Sequence, residues 1–254
     1  MEVHLKNLSY SINFSEQLIR KLEQKSDLKL EEKIVITLYH QLLEQIDASF
    51  ILMDHNSENP AKIMLRAAYE TYISICYILK DPTLLQQRAF SYYISFIKDQ
   101  LKKVEENGTA EELSATIQEC SEILNSDIFV EVLAEWECKK GNSEYNPKWH
   151  SLFNGPRNIK KLVEDIVDDN PDIYKYYGIL SQDAHGYQAL NASNYIDFIT
   201  EPLIIKPIRK EIMEDDNIEI ARAFCVGGTT LLITRMFPEF RDDLGLLLTE
   251  IGLI

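Results

Sequence analysis

Residues 59–80 read NPAKIMLRAAYETYISICYILK, and this stretch decides the fold class. Asn59-Pro60 opens it, with proline at a first-turn position where its missing N–H is no loss. After Glu70 no charge occurs until Lys80. Tyr69, Tyr72, Ile73, Ile75, Cys76, Tyr77, Ile78 and Leu79 cover most of the circumference of a helix. A helix that is apolar nearly all round belongs in the middle of a bundle, where neighbours cover every face.

The flanking sequence supplies those neighbours. Leu28 to Met53 carries Ile34, Leu38, Leu42, Ile46 and Phe50 at four-residue intervals, with Ile36, Leu43 and Ile51 widening the stripe. Asp54-His55-Asn56-Ser57 is a turn, and Phe14 to Gln24 is a short amphipathic helix before it. On the other side, Asp81-Pro82 stops the central helix and starts another over Thr83 to Glu106. Asn107-Gly108 breaks it. Thr109 with Glu112 fits a capping box, and the helical region it opens runs to Glu137, with a kink expected near Asn125-Ser126. Lys139 to Gly155 reads as a long loop, and Pro156 as the start of a helix to Val167. Asp168-Asp169-Asn170-Pro171 is a turn into a Tyr-rich helix carrying Tyr174, Tyr177, Leu180, Ser181 and His185, with Gly186 as its C-cap. Residues 195–208 alternate weakly and predict a small β-hairpin. Asp215 to Met236 is helical again, and the tail from Arg241 is apolar enough to pack. The expected fold is therefore all-α: a helical bundle with one long loop region. We expect one domain over residues 1–254, with core helices over about 28–190 and a C-terminal helical extension over about 210–254.

Composition bounds the function. The chain has 254 residues, 45% of them hydrophobic, with only 9 Gly and 8 Pro, as an ordinary globular protein does. The formal net charge of −15 repels nucleic acid and anionic membranes as a whole, although a local basic patch can override it. Cys76, Cys120, Cys138 and Cys225 form no Cys-x-x-Cys and no zinc-ligand spacing. Met1-Glu2-Val3-His4-Leu5-Lys6 lacks the apolar core of a signal peptide, so free thiols in a reducing cytoplasm are expected. The longest uncharged stretches, such as Ala223 to Thr234, are too short to span a bilayer.

Two polar signatures stand out. Arg66 and Glu70 share a helix face at i,i+4 in an apolar segment, and Ser181 and His185 repeat that spacing far away. Charges in apolar surroundings demand partners. If the two helices are neighbours, Arg66, Glu70, Ser181 and His185 form a candidate catalytic set. Arg66 would hold a phosphate, His185 would move a proton, and Glu70 would orient either one. The other reading is a buried polar staple that fixes helix register. Asp183 is offset around its helix from His185 and is a weaker member.

These motifs carry a resemblance. The Arg66-x-x-x-Glu70 helix, the Trp149-x-x-Leu152 loop and Tyr177-x-x-Leu180-Ser181-x-x-x-His185-Gly186 resemble a bacterial family of helical domains of unknown function, over roughly residues 30–190. More distantly, an Arg and a His in a helical bundle resemble the HEPN superfamily. That likeness implies nucleotide or RNA binding and metal-independent RNA cleavage, in toxin or phage-defence settings. HEPN proteins carry the Arg and His on one helix with a short fixed gap. Here Arg66 and His185 would reproduce the pair in space.

Lys139, Lys140, Lys148, Arg157, Lys160 and Lys161 face only Glu144 across residues 139–161. Trp149 and His150 lie among them, and a helix N-terminus at Pro156 would offer free N–H groups. Lys148, Trp149, Arg157, Lys160 and Lys161 are the candidate nucleic-acid-binding residues. The competing reading is a solvated loop whose Trp149 plugs into the core. His40, Glu44 and Asp47 lack the paired Glu-x-x-His of a di-iron bundle, so neither metal nor cofactor is implied. Ser181 lacks the Gly-x-Ser-x-Gly of a hydrolase nucleophile. Gly227-Gly228-Thr229-Thr230 lacks a P-loop lysine and signals close helix packing or a kink. Two functions follow as expectations. One is a HEPN-like protein that binds RNA or a nucleotide or cleaves it, without a metal. The other is a non-catalytic helical interaction or sensor protein with a protein partner. Leu246-Leu247-Leu248, Ile251, Leu253 and Ile254 suggest a homodimer contact.

Overall fold

The computed structural model describes residues 2–107, 110–166, 175, 177–181, 196–197, 199, 201–202, 204–205, 207–209, 212 and 216–254. They fall into two compact units, Met1–Leu79 with Asp169–Ile254, and Lys80–Asp168. Nearly all regular structure is α-helix, as the periodicities require.

In the first unit, α1 (Glu2–Glu23), α2 (Leu30–Asp54) and α3 (Glu58–Lys80) are joined by short turns. Asn56 makes the reversal between α2 and α3 at φ 59°, a left-handed conformation that asparagine tolerates. The second half of α3 is buried at Ile73, Ile75, Cys76, Tyr77, Ile78 and Leu79, so the apolar run does sit in a core. The C-terminal helices are α8 (Asp216–Arg235) and α9 (Arg241–Glu250). Here α1 packs against both α2 and α8, and α2 packs against α8.

One expectation needs correction. The first helix covers Glu2–Glu23, not Phe14 to Gln24 alone. Its inward stripe is Leu8, Ser11, Ser15, Leu18, Ile19 and Leu22, and the two serines interrupt the apolar period that sequence reading follows. Further, α8 is central to its unit. Ile218, Ala221, Cys225, Gly228, Thr229, Leu232 and Ile233 are buried along it.

The glycine pair explains how α8 fits. A Cβ on Gly228 would lie 3.0 Å from Leu42 Cδ2, and one on Gly227 would lie 2.6 Å from Tyr72 Oη. Glycine lets α8 approach both helices closely, which was one of the two readings of the pair. At the next residue, Thr229 Oγ1 sits 2.6 Å from Tyr39 Oη and 2.9 Å from Ser15 Oγ, and donates to the Cys225 carbonyl at 2.8 Å. These buried hydroxyls satisfy one another across α1, α2 and α8. The tail packs through Leu244, Leu247 and Ile251, while Leu246, Leu253 and Ile254 stay exposed. The expected hairpin is present as two short strands, β1 (Ile196–Asp197) and β2 (Ile204–Ile205), antiparallel with Ile196 opposite Ile205 and Asp197 opposite Ile204.

In the second unit, α4 (Leu85–Asn107) packs on α5 (Ala110–Leu124), on α6 (Val130–Lys140) and on a 3-10 turn at Trp149–Ser151. Phe90 meets Phe129 edge to face at 5.0 Å, and Trp136 is fully buried. At Asn125-Ser126 the chain breaks outright, passing through a 3-10 turn at Asp127–Phe129 before α6. The last helix, α7 (Ile159–Ile166), begins three residues after Pro156. Asn158 is its cap, accepting the Lys161 N–H at 2.9 Å. The Thr109 capping box, the 168–171 turn, Tyr174, Asp183, His185 and the Gly186 cap lie outside the described residues.

Candidate functional site

One helical turn of α3 sets Arg66 and Glu70 on the same face. Arg66 Nε donates to Glu70 Oε1 at 3.3 Å. The third member is Tyr177, from the helical stretch 177–181. Arg66 Nη2 donates to Tyr177 Oη at 3.4 Å, and Tyr177 Oη donates to Glu70 Oε1 at 3.2 Å. The guanidinium also lies over the Tyr177 ring, 5.4 Å from its centroid, a cation–π contact. Three side chains thus close a triangle in which each touches the other two.

The triangle rests on aromatic rings. Tyr177 meets Tyr69 at 5.5 Å, Tyr69 meets Phe224 of α8 at 5.8 Å, and Phe224 stacks on Tyr72 at 5.1 Å. This apolar backing removes water from one side of the cluster. The other side is open. The Glu70 side chain is 47% exposed and the Arg66 side chain 19%. The pair is only partly sunk in apolar surroundings, because Arg66 is largely covered while Glu70 faces outward from α3. Burial, and then the neighbouring Glu70 carboxylate, raise the Tyr177 phenol above its ordinary value. At neutral pH it stays protonated and donates.

Ser181 lies one turn beyond Tyr177 on the same helical stretch, half-buried. The structure thus brings Arg66 and Glu70 together and adds Tyr177, which is absent from the candidate set that spacing alone suggests. Its spacing was a usable signal, since Tyr177 and Ser181 are an i,i+4 pair like Arg66 and Glu70.

The basic stretch belongs to the second unit and the Arg66 cluster to the first. Lys148, Arg157, Lys160 and Lys161 are all exposed. Lys160 pairs with Glu164 at 3.8 Å. Trp149 is half-buried and meets Tyr92 edge to face at 5.0 Å, so its ring is seated in its own unit. His150 is buried, with Nδ1 2.7 Å from the Pro156 carbonyl, which makes Nδ1 the protonated nitrogen. Burial, with Lys148 nearby, holds its pKa below the ordinary value against that hydrogen bond. His40 and Glu44 sit 3.7 Å apart on an exposed face. Among the described residues no three His, Cys, Asp or Glu side chains group as metal ligands would, and no helix is long and apolar enough to cross a membrane.

Fold and cluster define an all-α helical protein with a half-open Arg–Glu–Tyr triad on aromatic backing. The chain belongs to a family of unknown function (DUF5677), whose model matches residues 32–200. That span holds Arg66, Glu70, Tyr177, Ser181, His185 and the whole basic stretch. No curated protein and no solved structure matches the chain.

Proposed function

We propose that the chain is a HEPN-like protein that binds RNA or a nucleotide and cleaves RNA without a metal, in a toxin or phage-defence setting in the cytoplasm. The observation that carries this reading is the Arg66 guanidinium, held by Glu70 and Tyr177 at the open edge of an aromatic platform. A guanidinium fixed in place recognises a phosphate without losing further rotamer freedom. His185 follows Ser181 by four residues, as Ser181 follows Tyr177. As general base it would take the proton of a ribose 2′-hydroxyl. The 2′ oxygen would then attack phosphorus, the bond to the 5′ oxygen would break, and that oxygen would take up a proton. Arg66 would stabilise the charge on the phosphorane. The test is incubation of the pure protein with a panel of RNAs in EDTA. Wild type should leave cyclic-phosphate ends, and Arg66→Ala and His185→Ala should each abolish them. Intact RNA across the panel would sink the catalytic reading.

A second reading has its own observation. Leu246, Leu253 and Ile254 are exposed beside a tail that otherwise packs. Here the chain is a non-catalytic interaction or sensor protein and a homodimer, with the Arg66 triangle as a structural staple. A monomer by light scattering, with no partner recovered from the native host, would remove it.

A further inference from the structure

The basic stretch is divided by its fold into two parts. Lys139, Lys148 and Arg157 line a cleft of about 310 Å³ with Pro147, Ser151 and Gly155, and no lining residue is acidic. Glu135 lies behind, 3.9 Å from Lys139 Nζ, with its carboxylate accepting the Phe153 N–H at 3.0 Å. The Ser151 hydroxyl donates to the Lys148 carbonyl at 2.7 Å, so the three cations carry the electrostatics of the cleft. Two turns and one hydrogen bond shape its walls. Phe153 and Asn154 turn the chain at φ 52° and 60°, and the His150 bond to the Pro156 carbonyl holds the segment leading to Arg157.

Lys148 also lines a second, adjoining cleft of about 760 Å³, where Tyr145 lies among four lysines and the four carboxylates of Asp99, Glu105, Glu106 and Glu144. Tyr145 is 78% exposed, and its backbone N–H is held by Ser143 Oγ at 3.1 Å. Trp149, the aromatic residue among the candidate nucleic-acid-binding residues, has its ring against Tyr92. Tyr145 thus offers an exposed ring in a charge-balanced cleft that shares Lys148 with the basic one, as a stacking platform next to a phosphate site would.

We propose that the Lys139–Lys148–Arg157 cleft binds the phosphate of a nucleotide unit, with Tyr145 stacking its base. This rests on the reading that the chain takes RNA or a nucleotide, and it assigns the holding surface to the second unit. The test measures short single-stranded RNA by fluorescence anisotropy across a salt series, and AMP and inorganic phosphate by calorimetry. The proteins are wild type, Tyr145→Ala, Tyr145→Phe, the double variant Lys148→Ala/Arg157→Ala, and Arg66→Ala. Tyr145→Ala should weaken RNA binding roughly 5- to 150-fold, with Tyr145→Phe near wild type. The double variant should flatten the logarithmic salt slope by about 1.4. RNA binding unchanged in the cleft and Tyr145 variants but lost in Arg66→Ala would overturn this inference and leave the broader reading standing. Inorganic phosphate bound, and lost in the double variant, with neither RNA nor AMP bound, would keep the phosphate cleft while removing the platform and the nucleotide reading. No binding of any of the three would overturn both.

Discussion

Tyr177 shows what a single side chain adds that local spacing does not reveal. The i,i+4 rule found the Arg66–Glu70 pair because both members lie on one helix. Tyr177 stands 107 residues from Glu70, and no local rule links the two. Only the tertiary fold brings its hydroxyl between a guanidinium and a carboxylate. The consequence is measurable. Tyr177→Phe keeps the ring under Arg66 but removes both hydroxyl contacts, and should lower stability by about 1 kcal/mol in urea unfolding. Tyr177→Ala also removes the cation–π contact and the Tyr69 ring contact, and should lose more. Equal stability of Tyr177→Phe and wild type would mean that the ring alone holds Arg66. The same reasoning applies at Thr229, whose hydroxyl serves Tyr39 and Ser15 in a sealed site. Thr229→Val preserves shape but removes the partner of the Tyr39 hydroxyl and leaves Ser15 only the Cys225 thiol at 3.6 Å. It should lower stability by roughly 1–3 kcal/mol, and a neutral result would mean that the two re-pair.

Among the elements, α8 organises the first unit, and its glycines are the reason. Helices normally keep side chains between their backbones, but Gly227 and Gly228 let Tyr72, Tyr39 and Leu42 press directly onto α8. Gly228→Val should therefore cost about 1–3 kcal/mol by overpacking, read as a lowered midpoint of thermal unfolding. An unchanged midpoint would show that Leu42 swings aside freely. Much of this architecture was legible beforehand. The buried second half of α3, the helices that flank it in sequence, the packing reading of the glycine pair and the apolar tail all follow from periodicity and turn residues. What escaped has physical causes. The first half of α1 was missed because Ser11 occupies an inward position, and a small polar residue whose hydroxyl donates within the helix packs as well as an apolar one. The start of α7 was misplaced because Pro156 fits a first-turn rule, whereas the side chain that accepts the Lys161 N–H belongs to Asn158. Trp149 admitted two readings because sequence alone does not show whether an aromatic faces a partner ring or solvent.

For the molecule as a whole, the two units carry titratable groups of opposite sensitivity. In the first unit burial pushes the Cys76 and Cys225 thiols from 9.0 up to about 12. In that window the unfolded chain releases protons that the native state retains, so stability is intact below pH 9 and falls as pH rises towards 12. Each thiol contributes a slope of up to about 1.4 kcal/mol per pH unit. The second unit has raised groups too, Tyr92, Tyr93 and Cys120, but their shifts are smaller. Its distinctive group is His150, held neutral below its ordinary 6.5 by burial. There the unfolded chain binds a proton that the native state refuses, so stability is present above pH 6.5 and is lost as pH falls through the folded value. Because His150 ties its loop to Pro156, acid should loosen the Lys148–Arg157 cleft first. Hydrogen exchange at about pH 5.5, 7.5 and 10, corrected for intrinsic rates, reads both arms at once. Alkali should strip protection mainly from α2, α3 and α8, and acid mainly from α7 and the loop before it. His150→Asn, which keeps a donor without a titrating ring, should flatten the acid arm alone, and Cys225→Ala the alkaline arm alone. Uniform loss across both units at both extremes would show that the buried thiols and His150 do not govern the pH response.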